Sequence, residues 1–202
     1  MKLFYSPGAC SLAIHISLRE AGLPVTLEKV DMGKATYGDG KSFTEINPKG
    51  YVPTLQLDDG AVLTEGVMIQ QWIADQKPEK NLLPKPGSME RYRAIEWLAF
   101  VSTELHKGFA PLFNKDTPEA YKTMATETLM KRFAHVDAHL KGKDYLLGST
   151  YSSADAYLFT VFNWSHFVHL DVTGFTNILG FCERMKSRPA VREAWQAEGL
   201  KG

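Results

Sequence analysis

The stretch that decides the fold is residues 2–30, KLFYSPGACSLAIHISLREAGLPVTLEKV. It opens with a short apolar run, Lys2–Tyr5, that ends in Ser6-Pro7-Gly8, a strand followed by a turn. From Cys10 to Ala21 the apolar residues Ile14, Leu18 and Ala21, with Leu12 and Ile16 beside them, keep helical spacing. Gly22 and then Pro24 stop that helix, because glycine tolerates the left-handed position after a helix and proline cannot continue one. Val25–Val30 alternates and is rich in branched residues, so it reads as a second strand. Strand, helix and strand in this order predict a right-handed crossover with the two strands parallel.

Downstream, the glycine-rich residues 31–50 read as irregular. Pro53–Leu57 and Ala61–Leu63 flank Asp58-Asp59-Gly60, and an Asp-Gly pair between apolar runs predicts a hairpin. Thr64-Glu65-Gly66 leads into an amphipathic helix carrying Val67, Ile69, Trp72 and Ile73. The order is βαβ, an irregular stretch, then ββα: a small mixed sheet with helices, of the thioredoxin type. Lys77–Gly87 holds Pro78, Pro84 and Pro86 and reads as a linker. Beyond it the pattern is helical throughout. Tyr92, Ile95, Leu98, Val101 and Leu105 predict one helix over Ser88–Lys107. A second opens at Asp116-Thr117-Pro118-Glu119. A third opens at Ser152, with Asp155 completing a capping box, and a last short helix begins at Pro189. The expected fold is therefore α+β with two domains: residues 1–80 thioredoxin-like, and residues 88–202 all helical.

Composition narrows the function. The chain of 202 residues is 44% apolar and 23% charged, enough to bury a sizeable core. Its 23 basic and 23 acidic side chains cancel, and neither half departs from neutrality by more than two charges. That balance lacks the electrostatic footprint of a nucleic-acid binder. No apolar run is long enough to span a membrane, and Pro7-Gly8 interrupts the start before a signal-peptide core forms. Two cysteines far apart, Cys10 and Cys182, exclude a disulfide scaffold and favour a reducing, cytoplasmic setting.

Cys10 carries the most chemical information. It falls just after the strand-to-helix turn, where unpaired N–H groups and the helix dipole favour a thiolate. No second cysteine stands two residues on, which argues for a monothiol that pairs with a small external thiol; the alternative is an inert core residue. Cys182, between Phe181 and Met185 in a helical run, reads as core. Val52-Pro53 opens a strand, and a residue at such a sheet edge can offer its N–H and C=O to a peptide-like ligand. Glu65-Gly66, at a helix start, either caps the helix or meets a ligand ammonium and carboxylate. Glu104, His106 and Lys107 read as a last helical turn closed by Gly108, with His106 alternatively a donor to a thiolate. His135 and His139 share a helix face but lack a third ligand, so no metal is expected. Phe109, Phe113, Trp164 and Phe167 either line an apolar pocket or belong to the core.

Six short motifs, in this order and spacing, resemble the bacterial beta-class glutathione transferases over essentially the whole chain. They are Ser6–Leu12, Asn47–Gly50 followed by Val52-Pro53, Leu63–Gly66, Ile95–Leu98, Glu104–Gly108 and Ala154–Phe159. The resemblance implies a homodimer that binds glutathione as co-substrate, with the glutathione sulfur at Cys10. It implies a cis Pro53, and Val52 pairing its backbone with the cysteinyl part. Glu65 and Gly66 would hold the γ-glutamyl end, with Glu104 from the partner subunit and contributions from Thr103 and Lys107. His106 would contact the sulfur region, and Ser152 with Asp155 would be a folding cap. Three positions depart from the family pattern: Tyr51 stands where Gln is usual, Ala99 where Asn is expected, and Ala35 where Lys is common, with Lys34 a substitute.

The activity implied is conjugation of glutathione to small apolar electrophiles, with Cys10 a thiol donor or a mixed disulfide. Tyr5, Ser6 and Ser11 are alternative donors to the sulfur. Two other readings remain: a glutathione-dependent thiol–disulfide reductase with Cys10 as nucleophile, and a non-catalytic carrier of apolar ligands.

Overall fold

The computed structural model describes residues 1–200, which form two compact units. The first comprises residues 1–83 together with the C-terminal segment from Arg188; the second runs from Pro84 to Ser187.

The first unit is built on the predicted crossover. Strand β1 (Lys2–Tyr5) is followed by helix α1 (Ser11–Ala21) and strand β2 (Thr26–Asp31). β1 and β2 are parallel, with Leu3 opposite Leu27. Gly22 takes the left-handed conformation (φ 67°) that ends α1, and its N–H and that of Leu23 return to the last turn. Strands β5 (Thr54–Gln56) and β6 (Val62–Thr64) form the expected antiparallel hairpin, and β5 pairs antiparallel with β1. The stretch read as irregular holds two further strands, β3 (Thr36–Tyr37) and β4 (Lys41–Ser42). They extend the sheet to the order β4-β3-β2-β1-β5-β6. Two residues are too few to show alternation, which is why the pattern hid them. Phe4, Val30, Phe43 and Val52 are buried together in one core cluster, with Ala9, Tyr37 and Ile46 packed against it. Helix α2 (Gly66–Gln76) packs on α1.

In the second unit the single helix expected over Ser88–Lys107 is longer and broken in character. Helix α3 (Met89–Phe100), capped by the Ser88 hydroxyl, passes into a π-helical turn over Val101–His106. It continues as α4 (Lys107–Phe113). Gly108 therefore does not end the helix. It permits close packing instead: a Cβ there would stand 2.8 Å from Leu129 Cδ2 of α5 (Glu119–Leu140). Helix α6 (Ser153–Phe162) begins with the expected capping box. Asp155 Oδ2 accepts from the Ser152 N–H (2.7 Å) and hydroxyl (2.9 Å), and Oδ1 accepts from the Leu146 N–H (2.8 Å). α7 (Trp164–Phe167) and α8 (Thr176–Ser187) complete the unit.

The last helix, α9 (Pro189–Ala197), was expected to belong with the helical half, within residues 88–202. It packs on α1 instead, in the first unit. Polar groups on α1 explain this. His15 is fully buried, and its Nδ1 lies 3.0 Å from Glu198 Oε1. Arg19 Nε donates to His15 Nε2 at 3.1 Å. An arginine can only donate, so Nδ1 carries the proton that goes to Glu198. Arg188 holds Glu20 with two bonds, 2.7 and 3.0 Å, in the bidentate geometry that suits a guanidinium.

Candidate active site

In the first unit, the turn after β1 presents Cys10 at the start of α1. The turn is pinned at several points. Ser11 Oγ accepts the Ser6 N–H and donates to the Ser6 carbonyl, both at 3.2 Å, so this alternative donor is already engaged within the turn. Glu198 Oε2 accepts the Gly8 N–H at 2.9 Å. Gly8 sits at φ 71°, a conformation that disfavours any other residue. Burial, reinforced by the Glu198 charge, pushes the Tyr5 phenol above its usual pKa, so it stays protonated at neutral pH.

Cys10 is almost covered (9% exposed), and its thiol donates to the Val52 carbonyl at 3.3 Å. A carbonyl oxygen stabilises a thiol and repels a thiolate, which opposes the effect of the helix start. The Val52–Pro53 peptide bond is cis. The structure thus brings Cys10, Val52 and Pro53 together at the start of β5; that strand is paired on both sides, with β1 and β6, so Val52 stands in the loop before an interior strand and not on a sheet edge.

Glu65 follows β6 and holds the position before α2 in an unusual backbone conformation, φ 66°, with no side-chain capping bond to the helix. Its Oε1 accepts Lys49 Nζ at 2.6 Å and the Tyr51 hydroxyl at 2.7 Å. These bonds raise the pKa of Lys49 and of Tyr51, so Lys49 remains a cation and Tyr51 a neutral phenol. Gly66 adds no side chain at the first turn of α2, leaving its backbone open to an anion. Lys34 is different: its side chain is 80% exposed, with Asp31 3.9 Å away.

In the second unit the other sequence-marked residues lie on the π-helical turn and its continuation. Such turns recur at functional sites. Thr103 bonds back to the Ala99 carbonyl at 3.0 Å, inside its own helix. Glu104 accepts Arg132 Nε at 2.7 Å. Lys107 is exposed. His106 Nδ1 lies 2.7 Å from the Tyr157 hydroxyl, and its ring meets Trp164 edge-on at 4.8 Å. Burial, with the Lys107 charge beside it, lowers the His106 pKa to about 4, so the imidazole is neutral at physiological pH. Phe109, Phe113 and Trp164 form one ring cluster, with centroids 5.6 to 5.9 Å apart. Phe113 is half exposed and Phe109 buried, while Phe167 is 62% exposed at the end of α7. His135 and His139 both lie against Trp97, and among the described residues no group of three His, Cys, Asp or Glu could hold a metal ion.

Sequence reasoning assigned no role to Tyr157, Arg132, Lys49 or Glu198. Each acts through a partner distant in sequence, a relation that spacing does not encode.

The pattern described as Glutathione S-transferase, N-terminal domain, matches residues 8–76. That described as Glutathione S-transferase, C-terminal domain, matches residues 100–189. Glutathione S-transferase GstA of Escherichia coli O157:H7 is 50% identical over 100% of both chains. The chain belongs to the glutathione S-transferase family. A beta-class Sphingomonas chungbukensis glutathione S-transferase of solved structure is 43% identical, with a TM-score of 0.96 over 100% of both chains. A sphingomonad glutathione S-transferase solved in complex with glutathione is 42% identical, with a TM-score of 0.95 over 100% of both chains. The resemblance to the bacterial beta class is thereby borne out. So is the two-part fold, a thioredoxin-like sheet unit and an all-helical unit. No described helix is long and apolar enough to cross a membrane.

Proposed function

We propose that this family member binds glutathione on its first unit and joins it, through its sulfur, to small apolar electrophiles. The observation that carries the reading is the alignment of Cys10, Val52 and cis Pro53 with the Glu65–Gly66 helix start. Val52, in the loop before the paired run of β5, offers backbone groups to the cysteinyl part of a peptide in the way a free strand end does. Glu65 suits the γ-glutamyl ammonium, and the start of α2 suits its carboxylate. The cysteinyl sulfur then falls beside Cys10, whose one thiol proton, held by the Val52 carbonyl at 3.3 Å, turns to the ligand sulfur when Val52 pairs with the ligand.

In the reaction the glutathione thiol loses its proton to solvent. The thiolate sulfur forms a bond to the electrophilic carbon, and the leaving group departs with the electron pair. Free thiols ionise near pH 8.5, so the site must favour the anion. A neutral His106 can donate one N–H without carrying charge, and the Phe109, Phe113 and Trp164 cluster suits an apolar co-substrate. Thr103, Glu104 and Lys107 are the further glutathione contacts in this reading, Glu104 serving the second subunit of a homodimer. Lys34, exposed and on a short loop, can reach a ligand carboxylate. The setting is cytoplasmic.

The test is steady-state conjugation of glutathione to an activated chloronitrobenzene, by the wild type and by Cys10→Ala. Conjugation by both, with the variant reduced, supports Cys10 as a donor. No conjugation by the wild type, despite bound glutathione, would leave the carrier reading. The reductase reading is favoured by one feature, the position of Cys10 at a helix start. It requires Cys10→Ala to lose reduction of a glutathione mixed disulfide while keeping conjugation.

A further inference from the structure

The Glu65 carboxylate is approached from outside its own helix, by Lys49 and Tyr51 of the loop before β5. Lys49 Nζ bonds its Oε1 at 2.6 Å and also donates to Thr64 Oγ1 at 3.1 Å. The Tyr51 hydroxyl bonds the same carboxylate oxygen at 2.7 Å, and Lys49 Nζ lies 5.8 Å from the Tyr51 ring centroid. Beside them the backbone at Gly66 is uncrowded: a Cβ there would meet nothing nearer than Pro53 Cγ, at 3.8 Å. A carboxylate able to take an ammonium and an ammonium able to take a carboxylate therefore stand at one point, next to a helix start. An α-amino acid carries both complementary groups on one carbon. A peptide with only one of them satisfies half of this arrangement.

We propose that Lys49 reads the α-carboxylate of the γ-glutamyl end of glutathione, giving up Glu65 to the ligand ammonium and taking the ligand carboxylate in exchange. This rests on the reading that Glu65 and Gly66 hold that end. Tyr51, where the family pattern has Gln, is the partner that stays. Its hydroxyl is a neutral donor, so it fixes Glu65 without competing with an ammonium for its charge. Lys49 is a cation and does compete. Its effect thus depends on the ligand: it helps a ligand that brings a carboxylate and hinders one that brings only an ammonium. Lys49 and Tyr51 are both well exposed on long side chains, so the exchange needs no movement of the backbone.

The difference in sign gives the experiment. KM and kcat are measured for glutathione and for γ-aminobutyryl-cysteinylglycine, which keeps the ammonium and lacks the α-carboxylate. Lys49→Met is expected to raise KM for glutathione about tenfold with kcat within about twofold, the size of one lost charge-assisted bond. The same variant is expected to lower KM for the analogue, and Lys49→Arg to restore wild-type behaviour toward glutathione. Equal increases in KM for both ligands, or no change for glutathione, would overturn the proposal. Glu65→Gln separates it from the reading beneath it. If Glu65→Gln raises KM for glutathione while Lys49→Met does nothing, only the role of Lys49 falls. If Glu65→Gln leaves KM unchanged, the placement of the γ-glutamyl end falls and the proposal with it.

Discussion

Replacing Glu198, which follows α9, by alanine removes an acceptor shared by α1 and the turn before Cys10. The glutamate side chain is fully buried and accepts from the Gly8 N–H at 2.9 Å and from His15 Nδ1 at 3.0 Å. Each is a hydrogen bond to a charged group, worth about 1.5–3 kcal/mol. The substitution also takes this acceptor from the fully buried His15 ring, so the expected loss is roughly 3–5 kcal/mol. For a chain of this size that lowers Tm by about 10 °C. Glu198→Gln refines the argument. A glutamine offers one carbonyl oxygen and one amide NH2. It can serve His15 or Gly8 but turns a donor toward the other, so its loss should be about half that of alanine. Thermal unfolding followed by circular dichroism measures both. A drop of under about 2 °C for Glu198→Ala would refute the reasoning. So would a glutamine variant as damaged as the alanine one, since the ordering rests on counting acceptors.

Three further outcomes follow from the geometry. The His106 pKa is about 4 in the fold against an ordinary value of 6.5, so the unfolded chain binds the proton first as pH falls. Its contribution to stability is complete above pH 6.5 and is lost between there and about pH 4, with a slope of up to about 1.4 kcal/mol per pH unit that His106→Phe abolishes. Urea titrations across that range read it. Tyr157→Phe removes the hydroxyl that orients the His106 ring, and kcat/KM is expected to fall about three- to tenfold, with Tm little changed. Gly108→Val places methyl groups against the buried Leu129 and is expected to cost at least about 2 kcal/mol in chemical denaturation, through forced separation of α4 and α5.

What the sequence revealed follows its local physics. The crossover, the Asp-Gly hairpin and the Ser152–Asp155 capping box are all set by neighbouring residues, and each stands where the pattern placed it. The cis bond at Val52–Pro53 was an implication of the family resemblance, not of spacing. The misplacements were non-local. Helix α9 looks like any short amphipathic helix, and its partners on α1, the buried His15 and the part-buried Glu20 among them, show where it packs. Gly108 looked like a helix stop because glycine serves equally as a terminator and as a contact point; Leu129, far along the chain, decides between them. The π-helical turn left no mark on the apolar spacing of Val101 and Leu105. In the site, residue types were readable and their bonding was not. Tyr51 was seen as a departure from the family, but its bond to Glu65 emerges only when β6 and the loop before β5 meet.

Glutathione held in this site has its sulfur ionised, and the ultraviolet absorbance of the thiolate reports this directly. A pH titration of bound glutathione, on a Cys10→Ser variant to remove the protein's own thiol at the site, should show the thiolate well below the free value of about 8.5. Bound glutathione that ionises at or above that value, or no saturable binding, would contradict the account.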